Sequence, residues 1–555
     1  MDHLCSGLGI DRRLWLRIIG FGATGLTVNA IAGGLRTHEA EAQPASTRGR
    51  SNRSPSDIGA VRIGIANDAQ SGDGALTGGG SWPVTAYVYN SLLQRNSKNG
   101  RLSPCLAMSW KATDNAGRIW EYELRRGVKF HDGTELTADD VAFTYQRLLD
   151  PAVRATRMAD VKRQVEKVEA IDRYKVRFTL TKPDVTWPAI SSSEFIVPKA
   201  YAQRVGVAGF AAKPIGTGPF AMKSRDINNR IVYESFKDYW GTDATTGLPV
   251  VPAVSGAELR VLPESETRIS ALLAEEVDII VNVPASAVRR LEADKRVTLQ
   301  FSETGQPLAI LVNSQLAKTS SGEPNPYRDR RVRQALNHAI DIRAIIKTSL
   351  TGRERPSAGV NPAAVGFDAE LPSYSYDPAK AKALLTQAGY ANGIKEENAI
   401  IYNPGDRWPQ SRDVCQAIAG YLQNVGLKAS VQDLEYSTAA ALLNQKKLFP
   451  MCYWGQQSSI ETILQADYFW TNPGVRGVYM GNPDIDALLA QARKTIDEAA
   501  RGKLYAKMQR SFLEDAGDIF LNIALYVYAT RRPWQWQPGT SNAGEIPIWG
   551  VTRAG

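Results

Sequence analysis

Apolar and polar residues follow two different periods along the chain from residue 61 onward. Residues 61–66 and 519–528 are short and mostly apolar, which predicts a buried strand at each end of this region. Residues 120–124 and 176–180 each end in charged or turn residues, and they predict two further strands.

Between these predicted strands, many apolar residues are spaced three and four positions apart, which is typical of helices. Residues 87–93 predict one helix, and residues 331–346, with apolar positions three and four apart, predict another. Thr137 opens a sequence typical of a capping box, and Asn482 before Pro483 predicts a helix start. Helices and strands alternate without a fixed-period repeat, so the pattern predicts a mixed α/β protein.

The N-terminal segment has the layout of an export signal. Arg12-Arg13 precede an apolar stretch, and a small-x-small sequence ends at Ala42. This predicts a signal peptide over residues 1–42, cleaved near Ala42, and a polar linker over residues 43–58. The arginine pair resembles a twin-arginine signal, with an ordinary Sec signal as the alternative. We therefore expect the mature protein in the periplasm.

Composition and charge exclude some classes of function. The chain has 555 residues, 43% of them hydrophobic, which is enough for several domain-sized cores. Its net charge of +9 comes from 66 basic residues interleaved with 57 acids. Because the basic residues are scattered and no recognition motif accompanies them, we expect no nucleic-acid partner.

Cysteine and histidine are rare in this sequence. Past the predicted signal three cysteines remain, and either all are buried thiols or Cys415 pairs with Cys452. The two histidines that remain, His131 and His338, lie far apart in sequence. We therefore expect no metal site and no cofactor.

Several motifs, in order, resemble the extracellular solute-binding proteins of the peptide/nickel family (family 5) that serve bacterial ABC importers. One of them reads Gly-Val-Lys-Phe-His-Asp-Gly-Thr, and another Arg-Val-Arg-Gln-Ala-Leu-Asn-His-Ala-Ile-Asp. The matching segments are residues 127–134, 136–141, 214–220, 239–241, 268–279, 331–341, 376–381 and 388–390.

The resemblance implies a two-lobed periplasmic binding protein of type II, with an extra subdomain in lobe I and the ligand in the interlobe cleft. The boundaries it implies are residues 59–103 for the first segment of lobe I, 104–222 for the extra subdomain, 223–310 for the second segment of lobe I, 311–528 for lobe II and 529–555 for a C-terminal return to lobe I.

The resemblance also implies a ligand-binding segment around Trp454. In peptide-binding members this segment lines the pocket, and an Asp shortly after the Trp pairs with the free amine of the peptide. Here Tyr453, Gln456 and Gln457 flank the Trp, and Gln457 stands where the Asp is expected. An amide cannot neutralise an ammonium group, and an unpaired charge in a dry cleft costs several kcal/mol.

Three outcomes remain open for this missing anchor. Glu461 or another acid substitutes, the amine of the ligand is blocked, or the ligand is not a peptide. Trp454 offers a flat apolar wall in each case, with a purely structural tryptophan as the alternative. Tyr89 and Asp68, near the expected cleft-facing end of the first strand and the first helix, are further candidate ligand contacts.

The sequence therefore predicts a monomeric periplasmic receptor that binds a small peptide or peptide-like solute and delivers it to an inner-membrane ABC permease. A receptor for an oligosaccharide or opine-like solute is the alternative within the same fold. An exported glycoside hydrolase is the alternative from another class, although the sequence contains no hydrolase motif and we assign no catalytic residue.

Overall fold

The computed structural model describes residues 59–554 except 69–70, 77–86, 97–100, 115–116, 156–157, 243–249, 251, 396–397, 405–407, 457–460, 473–475 and 539–547. The predicted signal peptide and linker, and Gln457, lie outside the described residues.

Strands are numbered here in chain order. They are β1 (Val61–Ile65), β2 (Leu93–Arg95), β3 (Leu102–Pro104), β4 (Ala107–Ala112), β5 (Ile119–Leu124), β6 (Val165–Asp172), β7 (Lys175–Leu180), β8 (Phe220–Asp226), β9 (Arg230–Ser235), β10 (Gly256–Val261), β11 (Ile279–Ile280), β12 (Val297–Val312), β13 (Asn398–Tyr402), β14 (Ala429–Asp433), β15 (Met451–Gly455), β16 (Asp518–Arg531), β17 (Trp534–Gln535) and β18 (Thr552–Arg553).

The α-helices are numbered in the same way. They are α1 (Ala138–Leu149), α2 (Met158–Gln164), α3 (Trp187–Ser191), α4 (Lys199–Ala212), α5 (Ser265–Leu273), α6 (Ala285–Glu292), α7 (Arg330–Ala339), α8 (Ile342–Ser349), α9 (Pro378–Gln387), α10 (Ser411–Asn424), α11 (Tyr436–Asn444), α12 (Thr462–Gln465), α13 (Pro483–Ala492) and α14 (Glu498–Glu514). A π-helical turn, Ala466–Trp470, continues α12.

One mixed sheet joins strands from both halves of the chain. Its order is β14-β13-β15-β12-β16-β11-β1-β10-β9-β8. Two groups of parallel strands, β14-β13-β15 and β11-β1-β10, lie on either side of the antiparallel pair β12 and β16. These two are the longest described strands, with 16 and 14 residues, and they connect the two parallel groups.

A separate four-stranded antiparallel sheet, β4-β5-β7-β6, is built from the first third of the chain. Helix α1 packs over it, starting at the capping box of Thr137 and Asp140 that the sequence predicts. Tyr145, Phe178 and Trp187 form an aromatic cluster between the sheet and its helices.

The four predicted strands are confirmed as β1, β5, β7 and β16, and Asn482 caps α13 as predicted. The helix predicted over residues 87–93 is wrong. The backbone of Tyr87 and Val88 instead pairs with the segment around Gly218, where a Cβ atom would lie 2.4 Å from the Tyr87 carbonyl oxygen. The single helix predicted over residues 331–346 is two helices, because Ile340 is extended and Asp341 caps a new start.

The three cysteines in the described part of the chain, Cys105, Cys415 and Cys452, are buried and free, so Cys415 and Cys452 form no disulfide. Each described helix is too short or too polar to span a lipid bilayer.

Candidate ligand-binding site

The carboxyl ends of the parallel strands β13, β14 and β15 meet at one edge of the sheet. In open α/β sheets this edge is where ligands bind. Each of the three strands brings an aromatic side chain to it. Trp408 lies in the connection after β13, Tyr436 begins α11 just after β14, and Trp454 is the penultimate residue of β15.

These three residues, the aromatic trio, are in mutual contact. The Tyr436 ring stacks on Trp454 with centroids 5.2 Å apart and 18° between the planes, and the Trp408 centroid lies 5.0 Å from that of Trp454. Gly455 makes this packing possible, since a Cβ atom there would lie 2.2 Å from Trp408 Nε1. Trp454 is only 2% exposed, so the half-buried Tyr436 offers more accessible surface of the two stacked rings.

Arg476 adds a positive charge beside the aromatic trio. Its guanidinium carbon lies 5.9 Å from the centre of the Trp454 ring, and its Nη1 donates a 3.1 Å hydrogen bond to the Tyr436 hydroxyl. Its Nε is buried without a hydrogen-bond partner among the described residues. The side chain is half-buried.

Gln456 is buried and committed to internal hydrogen bonds. Its side-chain nitrogen donates to the carboxyl group of Asp518, and its side-chain oxygen accepts from Gln465. Its backbone N–H donates to Pro307 of β12 over 2.8 Å. Burial raises the pKa of Asp518 to about 8. Gln456 thus fixes the end of β15 to both connecting strands.

Glu461, one candidate for the missing amine anchor, already has a cationic partner. Arg501 Nη2 donates to Glu461 Oε1 over 3.1 Å, Arg501 Nε donates to Oε2 over 3.3 Å, and the Tyr505 hydroxyl donates to Oε2 over 2.8 Å. All three side chains are buried. A ligand amine could use this carboxylate only by breaking a buried ion pair.

Tyr453 alternates with Trp454 along β15, so its side chain lies on the opposite face of the sheet. Its hydroxyl is fully buried, has no hydrogen-bond partner among the described residues, and has a pKa raised by that burial. Its ring edge lies against Trp408, 6.1 Å between centroids. The structure therefore places Tyr453 beneath the aromatic trio.

The two candidates nearer the N-terminus make their described contacts away from the trio. The Tyr89 hydroxyl donates to the Gly72 carbonyl over 2.8 Å, and its ring stacks on Phe195 at 5.1 Å. Asp68 follows β1 and accepts from Arg225 Nη2 over 3.0 Å and from the Asn228 backbone over 2.9 Å. Neither residue is brought together with Trp454 by these contacts.

Arg493 joins two distant parts of the chain. It donates to Asp467, in the π-helical turn that continues α12, and to Asp184, which follows strand β7 of the four-stranded sheet. The Val185 backbone N–H also donates to the Arg493 carbonyl over 3.3 Å. This link between residues 309 positions apart in sequence was not predicted.

Both described histidines brace the backbone. His131 Nε2 lies 2.9 Å from the Gly218 carbonyl oxygen, and His338 Nδ1 lies 2.8 Å from the Ser375 carbonyl oxygen. No group of three or more His, Cys, Asp or Glu side chains within the described ranges is arranged to hold a metal ion.

Comparison with known proteins gives consistent matches. The family model for bacterial extracellular solute-binding proteins, family 5 (middle region), matches residues 101–473. Heme-binding protein A of Haemophilus influenzae is 28% identical over 451 residues, 76% of this chain and 79% of that protein. The glutathione-binding protein GsiB of Escherichia coli O1:K1 is 28% identical over 425 residues, 74% of this chain and 78% of that protein.

A solved structure supplies the fold. The ABC transporter-associated periplasmic binding protein DppA of Helicobacter pylori, in complex with the peptide STSA, superimposes with a TM-score of 0.76. The alignment has 24% identity and covers 89% of this chain and 98% of that one. The predicted two-lobed α/β fold is confirmed.

Proposed function

The chain belongs to family 5 of the bacterial extracellular solute-binding proteins of ABC importers, and from this membership we propose that it binds a peptide or peptide-like solute between its lobes and delivers it to an inner-membrane permease. The family consists of binding proteins rather than enzymes, and we propose that this chain likewise acts without catalysis, as a monomer. One relative binds glutathione, itself a peptide, and the matched DppA structure holds a peptide.

The observation that carries this proposal is the aromatic trio at the carboxyl edge of β13, β14 and β15. Trp408 and Trp454 are almost completely buried, so the half-buried Tyr436 ring, supported by Trp454, is the apolar surface of the trio that a side chain of a bound peptide can contact. The long strands β12 and β16 connect this edge to the other parallel group, which permits two lobes to close on a solute. A solute that contacts both lobes stabilises the closed state because it binds the open state less well.

The proposal can be tested with the purified mature protein. Mild denaturation followed by mass spectrometry identifies any solute carried through purification, and a pool of two- to five-residue peptides is expected to raise the melting temperature. Tyr436→Ala should reduce this stabilisation, because it removes the more accessible ring stacked on Trp454. Tyr376→Ala is the matched control, since Tyr376 is 43% exposed and lies outside the trio. Absence of stabilisation by any peptide would contradict the proposal.

A non-peptide solute is the second candidate, favoured by Gln457 in place of an anchoring acid and by the engagement of Glu461 with Arg501. An oligosaccharide ring can stack on the same aromatic surface, and an opine-like solute needs no free amine. Stabilisation by these solutes but not by peptides would select this candidate.

Family members are exported to the periplasm, and we propose that residues 1–42 direct export of this chain. N-terminal sequencing of the periplasmic protein should give a first residue close to Gln43. Replacing Arg12-Arg13 by two lysines should block export by a twin-arginine pathway and leave Sec export intact. The lobe boundaries and the ligand contacts of Tyr89 and Asp68 stay predictions.

A further inference from the structure

The pair of Asp184 and Arg493 joins two parts of the molecule that lie far apart in sequence. Asp184 follows β7 of the four-stranded sheet, which pairs with no strand of the ten-stranded sheet among the described strands. Arg493 caps the end of α13, which packs on α14 ahead of β16. In the predicted boundaries Asp184 belongs to the extra subdomain of lobe I, and Arg493 belongs to lobe II. The pair therefore bridges the two lobes.

The Arg493 guanidinium divides its donors between the two lobes. Its Nη1 donates to Asp184, and its Nη2 donates to Asp467 in the π-helical turn that continues α12. Beside this ion pair, the Val185 backbone N–H donates to the Arg493 carbonyl oxygen over 3.3 Å. The Asp184 side chain is 9% exposed and that of Arg493 is 27% exposed. Water therefore screens the bridge only in part.

Each partner keeps a second contact on its own side of the bridge. Asp184 Oδ1 accepts from the Thr186 backbone N–H over 2.9 Å and from the Thr186 hydroxyl over 2.6 Å, whereas Oδ2 accepts from Arg493. Arg493 in turn keeps Asp467. If the lobes separate, neither group is left as a buried charge without a partner, which would be strongly unfavourable. The bridge can therefore break and form again.

We propose that the bridge between Arg493 and Asp184 is a latch that holds the two lobes in the closed form, before a solute binds as well as afterwards. All of its groups belong to the protein, so its formation does not depend on the solute. A closed form that is already populated raises the apparent affinity for a solute in proportion to that population. The latch goes beyond the proposed function, because it sets the equilibrium between the lobes in the solute-free protein.

Pulsed electron resonance between two spin labels measures the distance between the lobes. Lys111→Cys on β4 and Lys503→Cys on α14 place the labels at exposed positions, and the buried native cysteines should stay unlabelled. Without solute, the otherwise wild-type protein should show a short-distance population beside a long-distance one. Asp184→Asn removes the charge that faces Arg493 and keeps Oδ1 for Thr186. It should lower the ratio of short to long distances about tenfold, the value for one hydrogen bond between charged groups.

The same variants are then measured with the pool of two- to five-residue peptides. In calorimetry, the peptide of the pool that binds the wild type most tightly should bind Asp184→Asn with a Kd about tenfold higher. Arg493→Lys keeps the charge but cannot span both carboxylates, so it should give an intermediate loss in both measurements. Arg101→Gln is the matched control. The pair of Arg101 with Glu498 is 75% and 56% exposed, so its removal should leave both measurements unchanged.

The outcomes separate a latch from a structural role and from the proposed function. A wild type that shows only the long distance without solute would overturn the latch, and so would an Asp184→Asn variant with the ratio of the wild type. A lower urea midpoint for Asp184→Asn at an unchanged ratio would show that the pair only stabilises the fold, and it would overturn the latch too. If no peptide binds the wild type, the proposed function is contradicted, while the solute-free distances still decide on the latch.

Discussion

Replacing Glu461 by Gln should destabilise the protein without changing its preference for ligands. The carboxylate of Glu461 is 9% exposed and Arg501 is 7% exposed, and the two are joined by two hydrogen bonds. The substitution keeps the size of the side chain and removes only its charge. It leaves the Arg501 cation buried without a countercharge from this position.

Removing one partner of a buried ion pair costs about 3–5 kcal/mol. Arg501 keeps two neutral acceptors, the carbonyl oxygens of Thr495 at 3.1 Å and Ile496 at 3.0 Å. We therefore expect a loss near the lower end, about 3 kcal/mol. Glu498→Gln is the control, because the pair of Glu498 with Arg101 is exposed and should contribute less than about 1 kcal/mol.

Urea unfolding followed by tryptophan fluorescence measures both variants, and a lower midpoint at unchanged slope reports the loss of stability. Calorimetry with free-amine and N-acetylated peptides measures ligand preference in the same samples. A loss of less than about 1 kcal/mol in Glu461→Gln would show that the pair with Arg501 does not stabilise the fold. Selective loss of free-amine peptides by this variant would show that Glu461 is the amine anchor.

Three further predictions concern groups outside the Glu461 pair. Arg493→Met removes the cation that two carboxylates from distant parts of the chain share. The substitution should weaken ligand binding at least about tenfold and give the liganded protein a larger radius of gyration in small-angle scattering. Unchanged affinity and unchanged scattering would contradict this prediction. Burial raises the pKa of Asp518 to about 8, whereas the pKa of an Asp in an unfolded chain is about 4. Between these two values the folded protein keeps a proton that the unfolded chain releases. The free energy of unfolding should therefore fall as pH rises from about 4 to 8. Asp518→Asn should reduce this slope in urea titrations across the same range, and an unchanged slope would exclude Asp518 as its source. Thiol titration of the mature protein should detect three free thiols only after unfolding, because all three described cysteines are buried. Burial also raises the pKa of Cys105 to about 12, which slows its reaction in the native protein. Rapid labelling of the native protein, or detection of only one thiol after unfolding, would contradict the structure.

The sequence predicted those regions of the fold in which burial and local pattern agree. Strand β16 is buried along nearly its whole length, and its apolar run is visible in the sequence. The segment 87–93 failed as a helix because its apolar side chains are buried by tertiary contacts rather than by a helical face. Tyr87 contacts both Phe220 and Tyr233, residues more than 130 positions away.

The candidate site was predictable only at β15. Trp454 lies in a recognisable segment, but Trp408 and Tyr436 follow strands whose pairing the local pattern does not reveal. The cue that could have indicated them is an aromatic residue shortly after each of two short strands.

Gln456 and Glu461, the described residues on either side of 457–460, both make contacts inside the protein. Gln456 is fixed to Pro307 and Asp518, and Glu461 is fixed to Arg501 and Tyr505. A ligand ammonium group would therefore have to displace Arg501 in order to pair with Glu461, and Gln456 carries no charge that could pair with it. Because position 457 also carries an amide instead of the acid expected there, we expect a solute whose amine is blocked or absent to bind better than one that relies on a free ammonium group.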